Sequence, residues 1–296
     1  SVLKANGDIT NNGNITFKSD ASGSAIFDEF TGSISGSGEV TVERFITKNR
    51  AFRFLASPVN TTGSIFDNWQ QGKKDPGEGD TKYRPNVGTH ITGGDANDGF
   101  DQNASGNPSL YTFDNSTGGY AVPANTNQTP LKTGEPYYIL VRGDRSIDLN
   151  KNDPTETVTT LEATGSLATG PKTVVDVSST GTNGYILIAN PYQAPVVLDD
   201  VLDNPANTNI SSNTNVFVWD PQAGSGFSKG QFATIDASGN NNLTNSNATR
   251  ILQPGQSVFV QATTPENPVK VVFKESHKVG SSAALTDVFS DDSNTN

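Results

Sequence analysis

"NGYILIANPYQAP" occupies residues 183–195, and "AFRFLASPVN" occupies residues 51–60. Each is a short apolar run that closes on a small residue, then Ser or Asn, then Pro. Proline has no N–H to offer a ladder, so it stops a strand at an edge. The phrase belongs to a longer repeat. "FRFLASPV" (52–59) is followed by "SLYTFDNSTGGY" (109–120) and "LKTGEPYYILVRG" (131–143). "YILIANPY" (185–192) is followed in the same order by "NVFVWDPQAGSGF" (215–227) and "LQPGQSVFVQA" (252–262). Asp114 and Asp220, each ending an aromatic strand, are placed for Asx-turns, and Gly134 and Gly255 for positive-φ corners. Three matched phrases in one order predict an internal duplication.

Outward from the repeat, residues 1–46 alternate short apolar runs with Asn, Gly and Ser turns. This pattern predicts two-residue-period strands, arranged as solenoid-like or meander rungs. The expected fold class is therefore all-β: N-terminal rungs capped by a duplicated β-sandwich-like domain. The expected divisions are 1–46 for the rungs and 47–145 for the first repeat, with a long insertion at 61–108. Linker strands and the second repeat come next over 146–279, then a polar tail over 280–296. The insertion is expected on one exposed side, since long polar loops seldom bury their backbone. Residues 196–204, "VVLDDVLDN", predict a short helix.

Composition narrows the chemistry. The chain has 296 residues, 20 Lys and Arg against 31 Asp and Glu, a net charge of −11, no Cys and no Met. Such a charge repels phosphate backbones, so nucleic acid is not an expected partner. Without Cys there is no disulfide or thiolate chemistry. No apolar run reaches the length of a membrane span, so no membrane insertion is expected. The missing Met at position 1 reads as a processed or excised chain.

Two acidic loops point to calcium, a hard cation that collects oxygen ligands. In "DLNKND", Asp148, Asn150 and Asn152 alternate, with Asp153 next; in "DANDGFD", the acidic residues are Asp95, Asp98 and Asp101. Both loops are expected metal sites, with calcium as the cofactor. Aromatic rings stack on sugars, and the ring-bearing candidates are Trp69, Tyr83, Tyr120, Tyr192 and Trp219. Trp69 and Tyr83 lie in the insertion and are the preferred ligand-binding residues, together with His90 in "GTHITGG". Tyr192 and Trp219 read as core. His277 reads as a solvent residue, and "RGD" at 142–144 as a strand-end turn with an Arg–Asp pair. No catalytic constellation is visible: the chain has no Cys, and its two histidines, His90 and His277, stand in unrelated contexts.

The run "GSGEVTVERFI" to "RAFRFLASPV", then "GTHITG", "LKTGEPYYILVRGDR", "ANPYQAPV", "FVWDP" and "LQPGQSVFVQA", resembles β-rich modules of large secreted and cell-surface proteins of the Bacteroidota, substrates of type IX secretion. The resemblance implies an extracellular, adhesin-like or structural module without catalysis. Its partner would be a glycan or a surface protein. The alternatives are a carbohydrate-binding module of a polysaccharide-degrading enzyme and a self-associating subunit of an extracellular filament.

Overall fold

The computed structural model describes residues 1–71, 84–151, 155–224, 230–281 and 284–285. The regular secondary structure is nearly all β-strand, as the alternating pattern predicts. Residues 1–46 wind as two stacked rungs. The first holds β1 (Val2–Leu3), β2 (Ile9–Thr10) and β3 (Asn14–Phe17). A small hairpin, β4 (Ser19–Asp20) and β5 (Gly23–Ser24), turns the corner into β6 (Ile26–Phe27), β7 (Ile34–Ser35) and β8 (Glu39–Ile46). The pairing between rungs is parallel throughout. Val2 faces Ile26, Ile9 faces Ile34 and Ile15 faces Val40, a steady offset of 24 to 25 residues. Phe17, Phe27 and Phe30 pack in series inside, with ring centroids 5.8 and 5.1 Å apart.

Strand β8 is shared between the rungs and the first of two β units. It runs parallel to β3 and, on its other edge, antiparallel to β14 (Thr159–Leu167), from Val40 opposite Gly165 to Ile46 opposite Thr159. Between β8 and β14 come β9 (Ala51–Leu55), β10 (Val59–Thr61), β11 (Leu110–Asp114), β12 (Gly119–Ala121) and β13 (Tyr137–Val141). They complete two sheets, ordered β10-β14-β8-β3 and β12-β11-β13-β9. Val42, Leu55, Val59, Leu110, Tyr137 and Leu161 form one core with the three phenylalanines of the rungs, so the apolar end of the coil is closed by this unit.

The second unit contains β15 (Lys172–Val177), β16 (Tyr185–Ala189), β17 (Val196–Val197), helix α1 (Leu198–Leu202), β18 (Val216–Asp220), β19 (Gln231–Ile235), β20 (Ile251–Leu252), β21 (Ser257–Gln261) and β22 (Val269–Phe273). Its sheet order, β19-β18-β21-β16, copies β12-β11-β13-β9 strand for strand. The registers agree too. Leu55 opposite Tyr137 matches Ile188 opposite Val258, and Phe113 opposite Tyr120 matches Trp219 opposite Phe232. The antiparallel pair β15–β22 stands where β8–β14 stands in the first unit. Strand pairing thus draws the divisions differently from the sequence: β8 joins the first unit, β14 is that unit's last strand, and β15 opens the second. One pair is missing from the first copy. Ala189 faces Ser257, but at the matching place Pro136 has no N–H, and Ala56 donates instead to the Gly255 carbonyl of the second unit at 2.7 Å.

The residue before each Pro explains the recurring phrase. Asn190 is fully buried; its Nδ2 donates to the carbonyls of Ala194, Leu252 and Gln253, and its Oδ1 accepts from the Tyr192 amide. Ser57, also buried, donates to the Val59 carbonyl and accepts from the Val59 amide. Each side chain satisfies the backbone that the Pro leaves unpaired.

The described part of the insertion departs from the expectation of an exposed loop. Ile65, Trp69, Ile91 and Phe100 are core residues, and Gly88 donates to the Thr160 carbonyl beside β14. The second unit also grips the rungs. Lys278 is buried, with Nζ 2.6 Å from Glu275 Oε2 and over the rings of Phe27 and Tyr192 at 5.0 and 4.8 Å. Glu275 accepts from the amides of Phe30 and Gly170.

His277 is buried rather than solvent-facing, and its Nδ1 accepts from the Lys274 amide at 3.1 Å. Burial lowers its pKa from the ordinary value of 6.5. The unfolded chain therefore takes up the proton first, and stability falls as pH drops below about 6.5. Urea midpoints between about pH 7 and pH 5 should show this loss, with a shallower slope in His277→Gln. A second test concerns the rungs. A Cβ on Gly38 would overlap the Gly13 carbonyl of the rung beneath. Gly38→Ala should cost about 1–3 kcal/mol by chemical denaturation, as overpacked sites do.

Candidate functional site

The two matching sheets, β12-β11-β13-β9 and β19-β18-β21-β16, each have a face turned to the unit's own core and an aromatic face. Along β13, Tyr137, Ile139 and Val141 point into the unit's own core, while Tyr138 points the other way. Along β18, Val216 and Val218 are buried, and Phe217 and Trp219 alternate with them. The two aromatic faces meet. Tyr138 stacks between Phe52 and Phe54 at 4.3 and 4.5 Å. Phe54 receives Phe259 and Trp219 edge-on, at 5.5 and 6.3 Å. The Trp219 indole N–H donates to the Phe52 carbonyl at 2.7 Å, giving the half-buried ring the polar partner it needs.

Beyond this contact the aromatic surface opens into a cleft of about 410 Å³. Its floor and walls are Phe113, Tyr120, Tyr185, Phe217, Phe232 and Phe259. Two turns form the rim, at residues 117–118 and 181–184. No charged side chain lines it; Thr117, Thr182, Asn183 and the backbone supply the polar groups. Tyr120, Tyr185 and Phe232 are 47%, 39% and 36% exposed, so each offers an open ring. Partial burial pushes the Tyr120 hydroxyl up to about 12, which keeps it a proton donor at neutral pH. The first rim turn is held by Asp114, whose Oδ1 accepts from the amide and hydroxyl of Ser116; these bonds hold its carboxyl below the usual range. Asp220 makes the matching turn, accepting from the Gln222 amide. The cleft can stack flat, uncharged rings and hydrogen-bond their edges.

The residues that sequence reasoning preferred lie elsewhere. Trp69 is 4% exposed and meets Tyr137 edge-on, so it is a core residue. Tyr83 lies outside the described residues. His90 is buried, with Nδ1 3.3 Å from Asp101 Oδ2. Asp101 is no open metal ligand: Arg145 takes both its oxygens, at 2.6 and 2.9 Å, and the Ile91 amide adds a third bond. Asp98 accepts from Asn125, and Asp95 caps a 3-10 turn through the Asn97 amide. Asp148 accepts from the Asn150 amide, while Asn152 and Asp153 fall outside the described residues. Among the described residues no three His, Asp or Glu side chains are grouped to hold a metal ion. In the "RGD" stretch, Arg142 and Asp144 are both buried, and Asp144 accepts from Asn86, Ser146 and Thr157 instead of pairing with Arg142. Tyr120 is the one sequence candidate that the cleft takes up. The rest of the cleft had a signal in the sequence: aromatic residues alternating with aliphatic ones on strands of both repeats.

No protein-family profile matches this chain, and neither a curated protein nor a solved structure matches it. Among the described residues no helix is long and apolar enough to cross a membrane.

The Arg145–Asp101 pair gives a direct test of the first core. Truncating one partner of a buried ion pair leaves an uncompensated charge and costs about 3–5 kcal/mol. Arg145→Met should lose about that much in urea unfolding, whereas Tyr120→Ala, on the open surface, should lose less than about 1 kcal/mol.

Proposed function

We propose that this chain is a non-catalytic extracellular binding module whose cleft holds a neutral sugar ring by stacking, serving adhesion at a cell surface. One observation carries the proposal: three part-exposed aromatic rings converge in an uncharged cleft at the seam of two sheets. Isolated exposed aromatics are ordinary, but a contiguous exposed apolar patch in a monomeric protein marks an interaction site. Its volume falls within the range of small-ligand sites, about 300–1,000 Å³. Aromatic surface binds the C–H face of a sugar ring, and the hydroxyls then need neutral partners at the edge. Thr182, Asn183 and the Tyr120 hydroxyl sit on that edge. The Bacteroidota-like phrases support an extracellular setting, and the polar, acidic surface suits an exposed, soluble location.

A neutral-glycan array followed by calorimetric titration checks the proposal. Selective binding should appear, and Phe232→Ala or Tyr185→Ala should weaken it by about tenfold or more, in line with about 1–3 kcal/mol for a lost stacking ring. Melting should stay near that of the parent. An array without selective hits, or hits indifferent to both variants, overturns it.

A further inference from the structure

A second cavity lies at the other end of the first unit's sheet. Arg142 directly follows β13, next to Val141, which pairs with Ala51. The aromatic cleft's first rim turn follows Asp114 instead, past the opposite, Tyr137 end of β13. Arg142 is only 8% exposed, and its Nη1 is buried without a hydrogen-bond partner. A buried guanidinium nitrogen with no acceptor is costly, because the lost hydration is not replaced. The same side chain lines a polar cavity of about 480 Å³, with Arg50, Asn103, Asn107, Asp148 and Lys151 around it. Asp148 in this lining is paired with Lys151, its Oδ2 3.9 Å from Lys151 Nζ, and Arg142 makes no ion pair with it.

We infer that this cavity binds the carboxylate of a small organic acid, with Arg142 as its anchor. The chemistry follows from the lining. A guanidinium presents a planar fork that matches a carboxylate with two parallel hydrogen bonds. The amides of Asn103, Asn107 and Asn150 add donors around it. Asp148 in the wall opposes a second negative charge, which disfavours phosphate relative to a singly charged carboxylate. Asp101, whose charge acts on Arg142, has both oxygens taken by Arg145 and makes no hydrogen bond to Arg142. Burial and the neighbouring Arg50 pull the Arg142 guanidinium down to about 10, so it stays charged at neutral pH. The "RGD" arginine thus faces a cavity of its own protein, not an external receptor.

The test uses the full chain carrying Phe232→Ala, which removes sugar stacking in the aromatic cleft and serves as the parent here, with four probes at matched ionic strength: sodium glucuronate, glucose, phosphate and sulfate. Glucuronate should raise the melting temperature and give a saturable calorimetric signal, and glucose should give no comparable signal at this site. Arg142→Lys, which keeps the charge and loses the fork, should weaken glucuronate binding roughly tenfold. Ser105→Trp should abolish binding by filling the cavity from its exposed rim, without touching the buried side chain. That variant decides the matter if Arg142 variants fail to fold, since its melting in the absence of ligand should match the parent. Glucuronate binding that survives Ser105→Trp overturns the inference, as does an equal response to glucose. Phosphate or sulfate binding more tightly than glucuronate overturns the assignment to a carboxylate.

Discussion

The arrangement turns on one contact: the Trp219 ring against Phe54 and Tyr138, with its indole N–H bonded to the Phe52 carbonyl. Antiparallel sheets usually leave one face to water. Here both units give that second face to each other. The contact is directional as well as apolar, because β9 is an edge strand and Trp219 takes one of its carbonyls. Near Trp219 the chain also has no room to vary. A side chain on Gly230 would overlap the indole ring. The cleft is the continuation of the same surface past the area of contact, where Tyr120, Tyr185 and Phe232 remain open to solvent.

Polar groups at the seam, buried or half-buried, set the units in place. Arg44, on β8, donates to the Pro254 carbonyl in the turn before β21, and the Ala56 amide donates to Gly255 in that same turn. Asn49 reaches the Pro221 carbonyl and the Gln222 side chain. Such bonds add modest net stability, but breaking one strands a buried partner, so they fix which loop meets which. The Pro-ending phrases lie at these crossings. Their Asn and Ser side chains serve as local substitutes for ladder bonds.

The strands of the repeat could be read in advance because each carries its own punctuation: an apolar run, then Asp or Pro, then Gly. The shared order predicted that the copies would match, and the orders β12-β11-β13-β9 and β19-β18-β21-β16 do match; which strands are neighbours was not readable. The partners β8–β14 and β15–β22 could not be matched in this way. Several alternating strands of similar composition compete for each partner, and nothing local tells them apart. The insertion misled for another reason. Trp69, Ile91 and Phe100 are isolated among Gly, Asn and Asp, so no window shows a period, yet each fills a place in the core. In the acidic loops the described carboxylates, Asp95, Asp98, Asp101 and Asp148, bond to backbone amides of their own turns, to the Asn125 side chain or to a buried Arg. The cleft was half legible. Tyr120 stood out as an aromatic residue, but its neighbours become a site only when strands more than a hundred residues apart are laid face to face.

The coil is gripped at two corners of one rung. At one corner β8 continues into the first unit's sheet. At another, Gln193 bonds to the backbone of Ala25 and Phe27, and Lys278 and Glu275 close over Asp28 and Phe30. A single continuous strand would behave as a hinge, free to swing about its own line. Two anchors set apart across the same cross-section remove that freedom, because bending or twisting about one must stretch or compress the other. The joint is therefore an elbow of fixed angle. Torque applied to the coil is passed on to both units together, and the cleft keeps a constant bearing relative to the coil axis.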